Sequence, residues 1–434
     1  MSSGSTAGMG WCFGADGADD LAAALGIFLG SLGERPRLLG LGEPMHAEEE
    51  FPRLRNEVFR QLVEREGYRS VAIESDCLAA LTVDAYVAGG EGPLEKVMQT
   101  GFSHGFGELA ANRELVAWMR KRNRSRVPED GLRFYGFDAP TEVTGADSPR
   151  EALAALHGYL ATHLEADSLP CDSETIDRLV GDDGRWTNPE AAMDPSRSVG
   201  ASPEARELRL LADDLCALLT AESPRLVAAA REEDWWHACL HGRTAAGLLR
   251  YHAAMADGSG SRAAQISRLM VRRDTMMYAN LQAIAAREAR RGPTLVFARN
   301  GHLWKDRSGW QLPVGWGGGT VSWWSAGAIT AAQMGDRYAF LASAFGSAPE
   351  QGLGVPNPDT LEGVLYALAE GRCIFDSRRL AETVRGGSST LAPRTEASTN
   401  RGYSALDPDR LDETDGIVFV RDLPSPAHES RSAM

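Results

Sequence analysis

The chain has 434 residues, 43% of them hydrophobic, enough for one large domain with insertions or for two domains. Its 60 acidic residues against 45 basic ones leave a formal charge of −15, which argues against sequence-independent binding to nucleic acid or to an anionic membrane. Six scattered cysteines (Cys12, Cys77, Cys171, Cys216, Cys239, Cys373) form no CxxC pair and read as free thiols. With no basic-then-apolar leader at the start of the chain, the expected location is cytoplasmic.

The first apolar run, "LAAALGIFLGSLG", is too short to span a membrane. "RPRLLGLGE" (35–43) reads as a buried strand. A helix follows over "EEEFPRLRNEVFRQLVEREGY", where three opening acids suit the N-terminal dipole and Pro52 is tolerated only near that start. "RSVAIESD" (69–76) and "LRFYGFD" (132–138) read as further buried strands, with the amphipathic helix "GELAANRELVAWMRKRN" between them. This alternation predicts an α/β fold on a parallel sheet. From 148 to 291 the pattern turns helical, with 167–203 as a polar loop inside it. "TLVFAR" (294–299) restores a strand, and "SGWQLPVGWGGGTVSWWSAGA" reads as a Gly/Trp-rich loop. "DRYAFLASAFG" is a strand, "TLEGVLYALAEG" a helix and "DGIVFVRDL" a last strand. The predicted architecture is a parallel β-sheet core flanked by helices, with a large all-helical insertion. The core takes 1–147 and 292–426, the insertion 148–291 and a flexible tail 427–434, while 386–402 and the stretch after Pro424 are expected to be mobile.

Binding residues of parallel α/β sheets gather at the carboxyl ends of the strands. Four such ends are polar here: Glu43 with His46, Glu74 with Ser75 and Asp76, Asp138, and Asn300 with His302. His46 precedes a helix start, where the positive end of the dipole favours the neutral imidazole that a general base needs. A helix cap at Glu43 and a hydrogen-bonded loop histidine at His46 account for the same residues without chemistry. Arg55 falls on the apolar stripe of its helix, so it either pairs with Glu43 or Glu74 or reaches out to solvent. Glu233, His237 and His241 share one helical face but lack the HExxH pattern, and an amphipathic helix beside Trp235 and Trp236 explains them better than a metal. No GxSxG, P-loop or strand-to-helix GxGxxG supports a serine nucleophile or a nucleotide, and neither metal nor cofactor is expected.

The stretch "LGEPMHAEEEFPRLRNEVFRQLVEREGYRSVAIESD" resembles the erythromycin esterase family, whose signature is a strand ending in GE-x-x-H, then a helix and a strand ending in Glu. The likeness continues through "ANRELVAWMRKRN", "LRFYGFD", "RRDTMMYANL", "ARNGHL" and "DGIVFVRDLPSPA". The resemblance implies a metal-independent hydrolase that, in its best-known members, opens a macrolactone ester. It would make His46 the base that activates water and Glu43 its partner. Arg55 and Glu74 would shape and charge-balance the site, His302 would position substrate or stabilise an oxyanion, and Arg273 would reach into the same cleft. Met45 stands where the family usually has Thr, Ala47 where it has Gly, and Lys305 lies where some members carry a second histidine. The expected substrate-side residues are Met45, His104, Arg273, Asn300, Trp304 and Trp310. Trp316, Trp323 and Trp324 would either border a cleft for a hydrophobic small molecule or pack as ordinary loop residues. The expected activity is hydrolysis of an ester or lactone in a natural product. Its alternatives are an elimination, cyclisation or group transfer at the same site in secondary metabolism, and non-catalytic binding of a hydrophobic metabolite.

Overall fold

The computed structural model describes residues 8–14, 17–142, 145–386, 390–400 and 402–424, so the expected tail and the stretch after Pro424 lie outside the described residues. The chain first lays down β1 (Gly10–Phe13), α1 (Ala18–Ser31), β2 (Leu38–Glu43), α2 (Glu50–Arg65) and β3 (Ser70–Asp76). Then come α3 (Ala80–Val87), α4 (Leu94–Thr100), α5 (Ala110–Asn123) and β4 (Arg133–Asp138). A short antiparallel pair, β5 (Thr141–Glu142) and β6 (Gly145–Ala146), leads into α6 (Arg150–His163), α7 (Ser173–Val180), α8 (Pro203–Ala221) and α9 (Ser223–Ala229). Two long helices complete the insertion, α10 (Glu232–Met255) and α11 (Arg262–Arg287). The chain rejoins the sheet as β7 (Thr294–Arg299), turns through α12 (Asn300–Leu303), and forms β8 (Arg307–Gln311), β9 (Thr320–Trp324) and α13 (Ala326–Met334). It ends with β10 (Tyr338–Ser347), α14 (Leu361–Leu368), β11 (Arg372–Asp376), α15 (Ser377–Gly386) and β12 (Gly416–Asp422).

The main sheet runs β1-β11-β12-β10-β2-β7-β3-β4. From β12 to β4 all neighbours are parallel, and β11 and β1 add an antiparallel margin. Its strands are buried on both faces, which is why they read as continuous apolar runs. Leu39, Leu41, Val71, Ile73, Leu295 and Phe297 face the core under α1, α2 and α5. Their neighbours Leu38, Ala72, Val296 and Ala298 face the other way, against Met277, Leu281 and Ile284 of α11. The other insertion helices bury a core of their own around Leu153, Leu156, Leu208, Leu215 and Leu249. Because β7 arrives late in the chain yet slots between β2 and β3, the carboxyl ends of β2, β7, β3 and β4 stand side by side. Gly42 makes this close approach possible: a Cβ there would stand 1.9 Å from Asn300 Oδ1.

Several sequence expectations need correction. Residues 167–203 are not all loop; they contain α7, capped by Asp172, and a series of single 3-10 turns. The Gly/Trp stretch is a β-hairpin of β8 and β9 in which Trp310 faces Val321, with Gly315 and the run Gly317, Gly318 and Gly319 at its tip. Described residues of the 386–402 stretch are tied down: Arg394 donates to the carbonyls of Gly346 and Gly354, and Asn400 Nδ2 donates to His46 O. The six cysteines are not all thiols. Cys12 and Cys373 face each other in register across β1 and β11 and form a disulfide, a pairing that 361 residues of separation conceal in the sequence. Cys77, Cys171, Cys216 and Cys239 are free. One premise for a reducing compartment is thereby removed. Reduction or Cys373→Ser is expected to destabilise the chain by about 2–5 kcal/mol, the usual range for loss of a disulfide. Thermal melts with and without reductant read this as a fall of several degrees, and coincident melts would contradict it. No described helix is long and apolar enough to cross a membrane.

Candidate active site

β2 ends on Glu43 and β3 carries Glu74 near its end, both carboxylates that the sheet buries: Glu43 is 3% exposed and Glu74 1%. The chain leaves β2 through Pro44 and Met45, and Ala47 sits in the left-handed region at φ 61°, where the resemblance leads one to expect glycine. That turn swings His46 back over its own strand, so that Nδ1 lies 2.6 Å from Glu43 Oε1. Donation from Nδ1–H to Glu43 leaves Nε2 as the nitrogen facing Glu74, 3.7 Å from Oε1. The His46 side chain is 30% exposed, the accessible edge of an otherwise buried cluster. Phe106 packs edge-on against it.

Glu74 is the hub. Its Oε1 lies 3.1 Å from Arg273 Nη2 and 3.2 Å from His302 Nε2, and its Oε2 accepts the Arg299 backbone N–H. His302, on α12 at the end of β7, turns Nδ1 to Asp274 at 3.0 Å. Asp274 also accepts from the backbone N–H of Ala326 at the start of α13. Two imidazole–carboxylate pairs, Glu43–His46 and His302–Asp274, thus meet across one carboxylate. On the far side Asp138 binds Arg273 and His104 Nε2, and His104 Nδ1 lies 2.8 Å from Glu142.

Burial alone would lower the basicity of His46, but the charge of Glu74 and the hydrogen bonds to Glu43 and Glu74 outweigh it, so its pKa rises above the ordinary 6.5. The expectation of a base held neutral by the helix dipole is therefore reversed. A helix terminus is worth about 0.3–1 kcal/mol, whereas one unit charge at 4 Å is worth about 4 kcal/mol at an effective dielectric near 20. His302 is likewise pulled down by burial and lifted further by Asp274 and Glu74, to about 9. His104 rises to about 10 against its own burial, through hydrogen bonds to Asp138 and Glu142. Burial would raise the Glu74 pKa, but His302 and His46 hold it well below the carboxylate range.

The structure brings Glu43, His46, Glu74, His104, Arg273 and His302 together and sets other expected residues apart. Met45 is fully buried in the main core, because its side chain turns away from His46; it contacts no open cleft. Asn300 spends its amide on both backbone groups of Ser343, stitching β7 to β10. Trp304 lies in the second core, edge-on to Phe340. Trp310 is 39% exposed and packs on buried Trp323, whose ring centroid is 6.3 Å from that of His302. Trp316 and Trp324 are exposed, and Lys305 pairs with Asp415. Arg55 is fully buried but hydrogen-bonds Asn56 Oδ1 rather than a carboxylate, and stacks over Phe297. Burial lowers its pKa to about 9, opposed by the charges of Glu43 and then Glu49. Asp274 and Glu142 were missed. Asp274 had one usable signal: it lies on the same apolar helix stripe as Met277 and Leu281. Glu233 is engaged by Arg133, Arg287 and His237.

Fold and site together define the class: an α/β protein with a carboxylate-paired imidazole at the carboxyl edge of a parallel sheet, flanked by a helical insertion. The chain belongs to the erythromycin esterase family, whose model matches residues 63–423. That match begins after Glu43, His46 and Arg55, so their relation to the site rests on the structure. The family is one of hydrolases. Among solved structures, a protein from Bacillus cereus is similar at TM-score 0.69 and 17% identity over 96% of each chain. A succinoglycan biosynthesis protein is similar at TM-score 0.66 and 14% identity, over 96% of this chain and 95% of that one. An erythromycin esterase mutant in its open conformation is similar at TM-score 0.63 and 18% identity, over 92% of this chain and 93% of that one. These likenesses show a shared fold.

Proposed function

We propose that this chain hydrolyses an ester or lactone bond in a hydrophobic small molecule, with His46 as general base and no metal. The observation that carries the reading is the pairing of a partly exposed His46 with buried Glu43, its second nitrogen turned toward Glu74, which in turn holds His302 and Arg273. In the neutral state Nε2 takes a proton from water as the water oxygen bonds to the carbonyl carbon, and Glu43 stabilises the imidazolium that forms. The imidazolium then returns the proton to the departing alcohol as the C–O bond breaks. Arg273 and the protonated His302 supply positive charge for the developing oxyanion. Arg55 acts from behind Glu43. Trp310, packed on Trp323 beside His302, offers apolar surface to the substrate.

The test is a panel of macrolactones and simple esters given to the purified chain with and without chelator. Turnover that survives chelation and is lost in a His46 variant supports the reading; equal handling of every ester by wild type and variant sinks it. The pH profile adds a second check. Because a base works unprotonated and the His46 pKa is raised, kcat/KM is expected to be low at pH 6 and to climb through a limb lying above 6.5. A flat profile across that limb would show that another group takes the proton.

A further inference from the structure

Arg243, Gly247 and Arg250 fall at i, i+4 and i+7 on α10 and line one cavity of about 110 Å³ against α11. The helices touch at Gly247, where a Cβ would stand 2.2 Å from Met276 Sδ, and the two arginines flank that point. Thr244, Thr275 and Asn280 complete its polar wall, and no acidic residue lines it. Arg243 is the anomaly. It makes one long contact, Nε to Asn280 Oδ1 at 3.4 Å, and lies over the Trp236 ring, while its Nη2 is buried without a hydrogen-bond partner. Among the described residues no carboxylate comes within 4.0 Å of Arg243 or of Arg250. Burial lowers the Arg243 pKa, and only the nearby Cys77, Cys239 and Cys216 oppose that. In a chain of net charge −15, the Arg243 guanidinium, with its buried Nη2 unpartnered, is costly unless an anion completes it, and the exposed Arg250 faces the same cavity without a counter-charge of its own. Arg250 also borders an outer groove of about 370 Å³ with Arg206, Arg209, Leu210 and Asp213, a largely cationic approach to the same place.

We propose that the cavity between α10 and α11 binds a tetrahedral oxyanion, as inorganic phosphate or a phosphate monoester, held between Arg243 and Arg250. Two guanidinium forks ask for more acceptor oxygens than the two of a carboxylate, and phosphate has them. The volume suits one such ion, since a water molecule claims about 30 Å³ of liquid. The site is separate from the Glu43–His46 cluster and stands whether or not that cluster hydrolyses esters.

The experiment is a titration of the full chain, followed by thermal melting and calorimetry, with inorganic phosphate, phenyl phosphate, and sodium chloride at matched ionic strength. A saturable rise in Tm with phosphate beyond that with chloride is expected, and Arg250→Ala should weaken the apparent Kd by about tenfold or more. Arg243→Met should abolish the phosphate response without lowering the phosphate-free Tm, because it removes an uncompensated charge. Binding of phenyl phosphate alone would identify an organic monoester as the ligand, and equal binding of both would identify the free ion. No saturable response, or one unchanged in Arg250→Ala, overturns the proposal. Since Arg250 is exposed, that variant decides the matter even where Arg243→Met fails to fold.

Discussion

Replacing His46 by Gln is expected to lower kcat on an ester substrate by about 100- to 10,000-fold, the range for loss of a general base, with KM and Tm close to wild type. The side chain is 30% exposed and packs edge-on against Phe106, so little burial is lost. Gln can still donate to Glu43, which keeps that carboxylate satisfied, but it cannot accept a proton from water. The residual rate should also lose the acid limb of the pH profile. The pairing of the two losses makes the test specific: a structural role for His46 would move Tm, while a substrate contact would move KM. A variant retaining more than about a tenth of wild-type kcat would exclude His46 as the base, since even modest base catalysis exceeds that.

What the sequence made legible follows the physics of each part. Strands buried on both faces read as apolar runs, and an acid closing such a run marks the site edge, so Glu43 and Glu74 were visible. The stripe of Arg55 left both burial and solvent open, and its partner was not visible, because the Asn56 amide meets it where a carboxylate was expected. The His302–Asp274 pair depends on how α11 crosses the sheet, and no local pattern encodes that crossing. Met45 misled for a simple reason: adjacency to His46 along the chain says nothing of direction, and its side chain lies in the core. β1 and β11 are short margin strands without alternation, so their pairing and their disulfide were invisible. The hairpin of β8 and β9 hid behind the glycines of its own tip. Charge state was the hardest quantity to read, because it depends on how many carboxylates converge, which only the assembled sheet decides.

Glu74→Gln is expected to destabilise the chain by about 3 kcal/mol near pH 6, and to abolish most activity. The figure lies at the low end for a broken buried ion pair because Arg273 keeps Asp138 and His302 keeps Asp274. The pH dependence carries the distinctive signature. The folded pKa of His302 is about 9, above its unfolded value near 6.5, so its stabilising contribution is fully present below about 6.5 and is lost as pH rises through 9. Glu74 has a depressed pKa, so its own contribution is present above the ordinary carboxylate range and is lost as pH falls through its folded value. Gln carries no charge at any pH and lets the His302 pKa fall. The gap between wild type and variant should therefore be widest at about pH 5–6.5 and narrow in both directions. Urea unfolding of both proteins at acidic, neutral and alkaline pH measures that gap. A gap of constant size would mean that Glu74 is held by packing and neutral hydrogen bonds, and that the two imidazoles are not joined through its charge. A gap that narrows only on the alkaline side would keep the His302 coupling and discard the depressed carboxylate.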